Sequence, residues 1–184
     1  LPNAKGVILD VRNNPGGLLT AAVNISSEFL PKGKIITSEI YSNGNSSKLA
    51  SNRVGLFDNY NKPILVLVNK GSASASEIVA SAIKEAGTGI IVGQRSFGKG
   101  TVQEVLKFRD GSAINLSVAK WLTPNGNWLD KTNSEYEDSK YNETVDDQEI
   151  IGGIKPDILV ESVNQPDDQE EIDEQLNAAI SKII

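Results

Sequence analysis

The chain has 184 residues, with 18 Lys and Arg against 24 Asp and Glu, so its formal net charge is −6. This acidic balance argues against a nucleic-acid or anionic-membrane surface, because phosphate binding needs clustered positive charge. The sequence contains no Cys and no His, which excludes disulfides, thiolate or histidine metal sites and a Ser-His-Asp triad. Any acid–base catalysis near neutral pH therefore depends on Lys, Asp, Glu or Tyr.

Apolar runs predict four strands in the first part of the chain, at residues 7–11, 35–41, 64–68 and 90–92. The run at 64–68 is apolar throughout, which is typical of a strand covered on both faces. Residues 42–51 are polar, and we interpret them as an exposed loop.

Two helices are predicted between these strands. The first has an apolar stripe at helical spacing, formed by Leu18, Ala22, Ile25 and Phe29, and Pro31 and Gly33 end it. The second covers residues 74–86 and carries Val79, Ile83 and Ala86 on one face. Strands that alternate with helices predict a parallel α/β layer.

The second part of the chain has a different pattern. Residues 102–108 and 113–119 are extended runs joined by a segment with Asp110-Gly111, which predicts a β-hairpin. Residues 125–149 are polar and acidic, and we interpret them as a long surface excursion. A short strand at 158–160 precedes a final helix with acidic residues in its first turn. Its apolar face is predicted to consist of Ile172, Leu176, Ala179 and Ile183.

Three turns contain residues suited to chemistry. The first, residues 10–17 (DVRNNPGG), follows the first strand. Its adjacent Gly16 and Gly17 allow the backbone to approach a ligand closely and to expose N–H groups, as an oxyanion site requires. Taken alone, such glycines more often serve only a tight strand-to-helix turn.

The second turn, residues 71–77 (GSASASE), places serines at the start of the second helix. Ser74 and Glu77 match a capping box, which is the structural interpretation. The alternative is a nucleophilic serine at a helix N-terminus, where free N–H groups stabilise negative charge. The segment alone favours capping.

The third turn places Lys99 between Gly98 and Gly100, just before a strand. A surface lysine does not need glycine neighbours, whereas a lysine inserted into a crowded pocket does. Burial there disfavours the charged ammonium and makes the lysine available as a neutral general base. A Ser–Lys dyad is an alternative to the histidine triad and agrees with the absence of His.

Together, and in this order, segments 10–17, 71–78 and 96–103 resemble those of the carboxyl-terminal processing peptidases, or tail-specific proteases. Segments 110–113, 119–126 and 153–157 and the closing helix agree with the same family. The resemblance runs from about Gly6 to the end of the chain. It implies an α/β fold, with a ClpP/crotonase-like βαβ core, a β-hairpin and a C-terminal helix, in which residues 1–184 form one peptidase core domain.

The resemblance also implies an activity and the residues that carry it. Ser74 matches the family's nucleophile, Lys99 its general base and Gln103 the residue that orients the lysine. The implied reaction is endoproteolysis of polypeptides near their C-termini through an acyl-enzyme on Ser74, without a metal or organic cofactor.

The oxyanion hole implied by the resemblance consists of backbone N–H groups. One belongs to Ala75, and the other belongs to Gly16 or Gly17. We expect Asp10 and Arg12 to form a charge pair that braces the glycine turn instead of taking part in chemistry.

The family carries a PDZ module and further strands upstream of the first motif, and neither is in this sequence. We therefore interpret the chain as a fragment of a longer bacterial protein. The expected location is extracytoplasmic, in the cell envelope or secreted, with a membrane anchor in the full-length protein. The expected partners are polypeptide C-termini and a second copy of the chain in a homo-oligomer, but no nucleic acid, and the isolated fragment is expected to be inactive.

Two other classes of function remain open from the residues alone. The first is a non-catalytic scaffold of the same fold that binds peptides or assembles subunits, with Ser74 acting only as a helix cap. The second is a crotonase-like acyl-CoA enzyme, which also uses paired backbone donors but needs no lysine between glycines. Labelling of Ser74 by a serine-reactive phosphonate favours the peptidase, and retention of CoA favours the acyl-CoA enzyme.

Overall fold

The computed structural model describes residues 3–130, 143–145, 148–150, 152–161 and 172–184. Its strands are β1 Val7–Asp10, β2 Ile35–Tyr41, β3 Ser46–Ala50, β4 Ile64–Val68, β5 Ile90–Gly93, β6 Thr101–Lys107, β7 Ala113–Leu122, β8 Glu143–Val145, β9 Gln148–Ile150 and β10 Ile158–Leu159. Its helices are α1 Leu19–Ser26, α2 Ala75–Ala86 and α3 Glu174–Ile180.

A parallel sheet with the order β1-β4-β5-β10 forms the centre of the fold. Leu65 of β4 pairs with Ile8 on one side and Ile90 on the other. Every residue of β4 is buried, which confirms the prediction of a strand covered on both faces. The predicted parallel α/β layer is likewise confirmed.

The two faces of β4 contribute to two separate cores, because successive side chains of a strand point to opposite faces. Val66 packs in the core that contains Val79 and Ile83 of α2. Leu67 packs in the smaller core that contains Ala179 of α3. Helices α2 and α3 therefore cover opposite faces of the parallel sheet.

A second, antiparallel sheet has the order β3-β2-β7-β6. It contains the predicted hairpin of β6 and β7, and Gly111 in the connecting turn has the positive φ (86°) that such turns require. The prediction of an exposed loop over residues 42–51 is wrong over β3, which pairs with β2, whereas residues 42–45 are an exposed turn. The side chains of β3 are mostly polar and none is buried, so the strand has no apolar pattern in the sequence.

The predicted apolar faces of two helices are only partly confirmed. Ala22 of α1 is buried, but Leu18 is 73 % exposed and Ile25 is 44 % exposed. Helix α1 ends at Ser26, and the residue before it, Leu18, is extended instead of helical. In the closing segment, Ala179 is buried as predicted, whereas Ile172 lies before α3 and is 59 % exposed.

The predicted surface excursion over residues 125–149 is wrong at its beginning. Leu129 and Asp130 are buried, and Trp128 is half-buried against the turn that contains Lys99. Further along, β8 and β9 pair with each other, while residues 131–142 and 146–147 lie outside the described ranges. Of the helices described, none has the length and apolar character needed to cross a lipid bilayer.

Candidate active site

Three turns meet at the carboxyl edge of the parallel sheet, because the ends of parallel strands lie at one edge. They are residues 11–18 after β1, residues 69–74 after β4 and residues 94–100 after β5. The backbone N–H of Ala73 donates to the carbonyl of Asn14 at 3.0 Å, and that of Phe97 donates to the carbonyl of Ser72 at 2.9 Å. The three sequence motifs are thus joined by backbone hydrogen bonds.

Ser74 lies at the sharp turn between β4 and α2, where it is the N-cap of the helix. Its φ of 55° and ψ of −117° lie in a backbone region that residues other than glycine rarely occupy. Such backbone strain, of order 1–3 kcal/mol, is characteristic of functional sites. The predicted capping box with Glu77 is present, so capping and exposure to the cleft occur at the same serine.

The carboxylate of Glu77 joins the serine turn to the lysine turn. Its Oε2 accepts the backbone N–H groups of Ser74 (2.8 Å) and Lys99 (3.0 Å). Its Oε1 accepts the hydroxyl of Ser96 (2.5 Å) and the N–H of Gly98 (2.7 Å). Glu77 is completely buried, and burial raises its pKa while the four donated hydrogen bonds act in the opposite direction. All four partners donate, which matches the bonding capacity of an ionised carboxylate.

The sequence identified Glu77 only as a helix cap. Its contacts with Ser96, Gly98 and Lys99 depend on the turn after β5 lying against the start of α2, which no local pattern indicates. The two glycines around Lys99 are required for different reasons, one in the backbone and one in side-chain packing. Gly98 has a φ of 81°, and a Cβ on Gly100 would lie 2.3 Å from Nε1 of Trp128.

The cleft in front of Ser74 has a volume of about 370 Å³. It brings together five of the six predicted site residues: Ser74, Ala75, Lys99, Gln103 and Gly17. Its apolar walls are formed by Pro15, Leu18, Leu19, Ile78, Val102, Val105 and Trp121. Lys99 is the one charged side chain among the lining residues of this cleft.

Gly16, the sixth predicted residue, does not line this cleft. It borders an adjoining apolar cavity of about 160 Å³, which Gly17, Leu18 and Ala75 also line, and its N–H donates to Oδ1 of Asn14 at 3.0 Å. The N–H of Gly17 has no acceptor among the described residues, and that of Ala75 is in the first turn of α2, where no intrahelical acceptor exists. The N–H groups of Ala75 and Gly17 are therefore a better candidate pair of oxyanion donors than those of Ala75 and Gly16.

The expected charge pair between Asp10 and Arg12 is present, with Nη2 of Arg12 2.6 Å from Oδ2 of Asp10. Arg12 also binds Asp173, the N-cap of α3, at 2.7 Å, a contact that the sequence did not predict. The hydrogen bond from Arg12 lowers the pKa of Asp173. Burial tends to raise the pKa of Asp10, but hydrogen bonds and the charge of Arg12 outweigh it, so that this pKa is also lowered.

No group of three or more acidic side chains within the described ranges is arranged to hold a metal ion. The geometry instead assembles a serine, a lysine and free backbone donors at one cleft.

The known proteins that this chain resembles are proteases. Residues 1–160 match the model of Peptidase family S41. The chain is 45 % identical over 128 residues to the carboxy-terminal processing protease CtpA of Bacillus subtilis, an alignment that covers 70 % of this chain and 27 % of that protein. It is also 45 % identical over 131 residues to CtpB of the same organism, covering 71 % of this chain and 27 % of that protein.

Among solved structures, the chain is similar to a photosystem II D1 C-terminal processing protease, with a TM-score of 0.66 and 33 % identity over 85 % of this chain and 35 % of the other. The predicted α/β fold of this family, with its hairpin and C-terminal helix, is thereby confirmed. The chain spans about a quarter of the length of the curated relatives that it matches. It belongs to peptidase family S41, in which its relatives are carboxy-terminal processing proteases.

Proposed function

We propose that the chain is the catalytic core of a serine endopeptidase that cleaves polypeptides near their C-termini through an acyl-enzyme on Ser74. The observation that carries the proposal is the common cleft that Ser74, Lys99 and Gln103 line together with Gly17 and Ala75. A strained serine at a strand-to-helix turn and a lysine on the facing turn are the components that nucleophilic catalysis without histidine requires.

The proposed first step is acylation. The amine of Lys99, as the general base, removes the proton of the Ser74 hydroxyl while Oγ attacks the scissile carbonyl carbon. The carbonyl oxygen becomes an oxyanion, which accepts hydrogen bonds from the N–H groups of Gly17 and Ala75. Collapse of this intermediate breaks the C–N bond, and Lys99 returns the proton to the departing amine.

Deacylation repeats these roles with water as the nucleophile. Lys99 removes a proton from the attacking water, the same two N–H groups stabilise the second oxyanion, and the proton returns to Oγ of Ser74. The product is a free carboxylate. Gln103, the fourth residue after Lys99 and part of β6, orients the lysine amine toward the serine.

Preorganisation of the site supports this mechanism. Glu77 binds the backbone N–H groups of Ser74 and of Lys99 through one buried carboxylate, so the backbone at the proposed nucleophile and at the proposed base is fixed before substrate binds. Catalytic groups that are already in position do not have to be reorganised during the reaction, which lowers its barrier.

Properties of the longer protein are part of the same proposal. The relatives are bacterial processing proteases, and we propose an extracytoplasmic location, polypeptide C-termini as substrates, self-association and an upstream PDZ module that captures the substrate. The isolated 184-residue chain is proposed to be slow or inactive, because it spans about a quarter of the length of the relatives that it matches.

A fluorogenic peptide assay tests the proposed function in the full-length protein and in this chain. Ser74→Ala and Lys99→Ala should each abolish turnover in the full-length protein. Ser81→Ala, a buried serine of the same helix that donates only to the carbonyl of Ile78, and Lys70→Ala, an exposed lysine of the adjacent turn, are matched controls that should retain it. Full-length turnover that persists without Ser74, or binding of peptides without cleavage, would contradict the proposal in favour of another nucleophile or a scaffold.

A further inference from the structure

The segment that follows β7 returns to the turn that contains Lys99. A tight turn over residues 123–127 reverses the chain: the N–H of Thr123 donates to the carbonyl of Asn127 at 2.9 Å, and that of Gly126 donates to the carbonyl of Thr123 at 2.9 Å. The reversal places Trp128 and Asp130 beside Gly100.

These contacts fix the peptide groups on both sides of Gly100. Its N–H donates to Oδ2 of Asp130 at 3.0 Å. Its carbonyl accepts the indole Nε1–H of Trp128 at 2.8 Å and the backbone N–H of Trp121 at 3.0 Å. The carbonyl of Lys99 accepts the indole Nε1–H of Trp121 at 2.7 Å.

With the N–H of Lys99 bound to Glu77, all four backbone polar groups of Lys99 and Gly100 have partners outside their own turn. The position of Lys99 and Gly100 is therefore set by those partners. Gly100 is buried, so these hydrogen bonds are shielded from water. If one partner is lost there, the buried donor or acceptor stays unsatisfied, because water cannot replace it.

The approach of Trp128 is so close that no side chain fits at residue 100, because a Cβ would lie 2.3 Å from Nε1 and 2.7 Å from the neighbouring ring carbon. Nζ of Lys120 lies 3.6 Å from the centroid of the Trp128 ring. This cation contacts the face of the ring, whereas the N–H that donates to Gly100 is at its edge, so the two contacts use different parts of the indole.

We propose that Trp128 and Asp130 are positioning residues for the general base: they fix the peptide groups of Gly100 and so set where the Lys99 amine lies relative to Ser74. This proposal rests on the proposed function. Neither side chain is among the residues that line the cleft, so both act through Lys99 and not by contact with substrate. A displacement of the base by about 1 Å is enough to lower a rate by about 100-fold.

The decisive variant is Trp128→Phe, which removes the Nε1–H donor and keeps an aromatic ring beneath Lys120. Its matched control is Lys120→Gln, which removes the cation above the ring and leaves the indole donor in place. Asp130→Asn is the second variant, since it keeps the shape of the side chain and replaces a carboxylate acceptor with a neutral amide.

Two measurements on each variant separate this proposal from the proposed function. The first is peptide hydrolysis by the full-length protein, for which Trp128→Phe should lower kcat by about 10- to 100-fold with KM within about twofold of wild type. The second is amide hydrogen exchange in ¹⁵N-labelled protein, which requires no activity. The N–H groups of Gly100 and Trp121 should exchange at least about 10-fold faster in Trp128→Phe and in Asp130→Asn, and at the wild-type rate in Lys120→Gln and in Ser74→Ala.

Wild-type kcat in both Trp128→Phe and Asp130→Asn would overturn the positioning role, as would a rise in KM without a fall in kcat. Unchanged exchange at Gly100 in both variants would overturn it as well. A wild-type protein without Ser74-dependent turnover would contradict the proposed function, and the exchange measurement would then still decide whether Trp128 and Asp130 fix this turn.

Discussion

Oε2 of Glu77 accepts the backbone N–H of Lys99 at 3.0 Å, which links the first turn of α2 to the turn after β5. The same oxygen accepts the N–H of Ser74. One buried side chain thus holds the proposed nucleophile and the proposed base, and its removal should affect both stability and catalysis.

Glu77→Gln should therefore be strongly damaging although it changes few atoms. Whichever way the amide is oriented, its NH₂ group faces two donors, because each carboxylate oxygen of Glu77 accepts two hydrogen bonds. We expect a loss of about 1–3 kcal/mol in the free energy of unfolding and a fall in kcat. Urea denaturation and the peptide assay measure the two effects.

The control is Glu174→Gln, an exposed glutamate in the first turn of α3. It should stay within about 0.5 kcal/mol of wild type. Equal stability of Glu77→Gln and Glu174→Gln would mean that the four hydrogen bonds to Glu77 do not contribute as described.

The two adjacent glycines of the first turn should differ in their tolerance of a methyl group. At Gly16, where φ is +105°, a Cβ would lie 2.8 Å from the Cβ of Ser74 and from the carbonyl oxygen of Ala73. At Gly17 a Cβ would meet nothing within 4 Å. Gly16→Ala should lose at least about 1–3 kcal/mol of unfolding free energy from backbone strain alone, whereas Gly17→Ala should lose no more than about 0.5 kcal/mol.

Urea denaturation of the two alanine variants side by side tests this difference. A Gly16→Ala protein as stable as Gly17→Ala would show that the glycine turn does not press against Ser74.

The network of Arg12 with Asp10 and Asp173 should make the glycine turn sensitive to acid. The pKa values of both carboxyls are lowered in the folded protein, so their contribution is present above the ordinary value of about 3.8 and disappears as the pH falls through the lowered folded values. The free energy of unfolding should therefore decrease as the pH falls below about 4.

Arg12→Gln should flatten that decrease, because both carboxyls then return toward ordinary pKa values. Arg109→Gln, an exposed arginine in the hairpin turn, should leave it unchanged. Chemical denaturation at a series of pH values is the measurement, and identical slopes for Arg12→Gln and wild type would argue against the network.

Gln103 should contribute less to turnover than Lys99, because it orients the base but transfers no proton. Gln103→Ala is expected to lower kcat by about 10- to 100-fold, against a loss of several orders of magnitude for Lys99→Ala. Glu104→Ala is the matched control, since the next side chain along β6 points to the opposite face and does not line the cleft. A Gln103→Ala protein with the kcat of Glu104→Ala would remove Gln103 from the mechanism.

The elements with a strong periodic or apolar pattern could be predicted from the sequence. The apolar run of β4, the capped start of α2 and the Asp110-Gly111 turn are each local signals, and each is present. Strand β3 could not be predicted, because its residues are mostly polar and none of its side chains is buried. Leu18 fits a helical stripe by spacing alone, yet it is the extended residue that precedes α1.

The candidate site shows the same limit. Ser74, Lys99 and Gln103 follow from motifs, but the sequence could not choose between Gly16 and Gly17, since that choice depends on which N–H the Asn14 side chain already occupies. Trp128 and Asp130 could not be identified from the sequence for a related reason. They lie in a polar stretch, and their contact with Gly100 depends on a chain reversal that no periodicity reveals.

The most direct test of the central claim is the site of covalent labelling by a serine-reactive phosphonate, measured by intact mass and peptide mapping of the full-length protein. Wild type and Ser81→Ala should each gain one adduct, located on Ser74, because only an activated serine attacks the phosphorus. Ser74→Ala should gain none, and Lys99→Ala should react at least about 100-fold more slowly. Undiminished labelling of Lys99→Ala, or an adduct on a serine other than Ser74, would contradict the assignment of Ser74 and Lys99 as nucleophile and base.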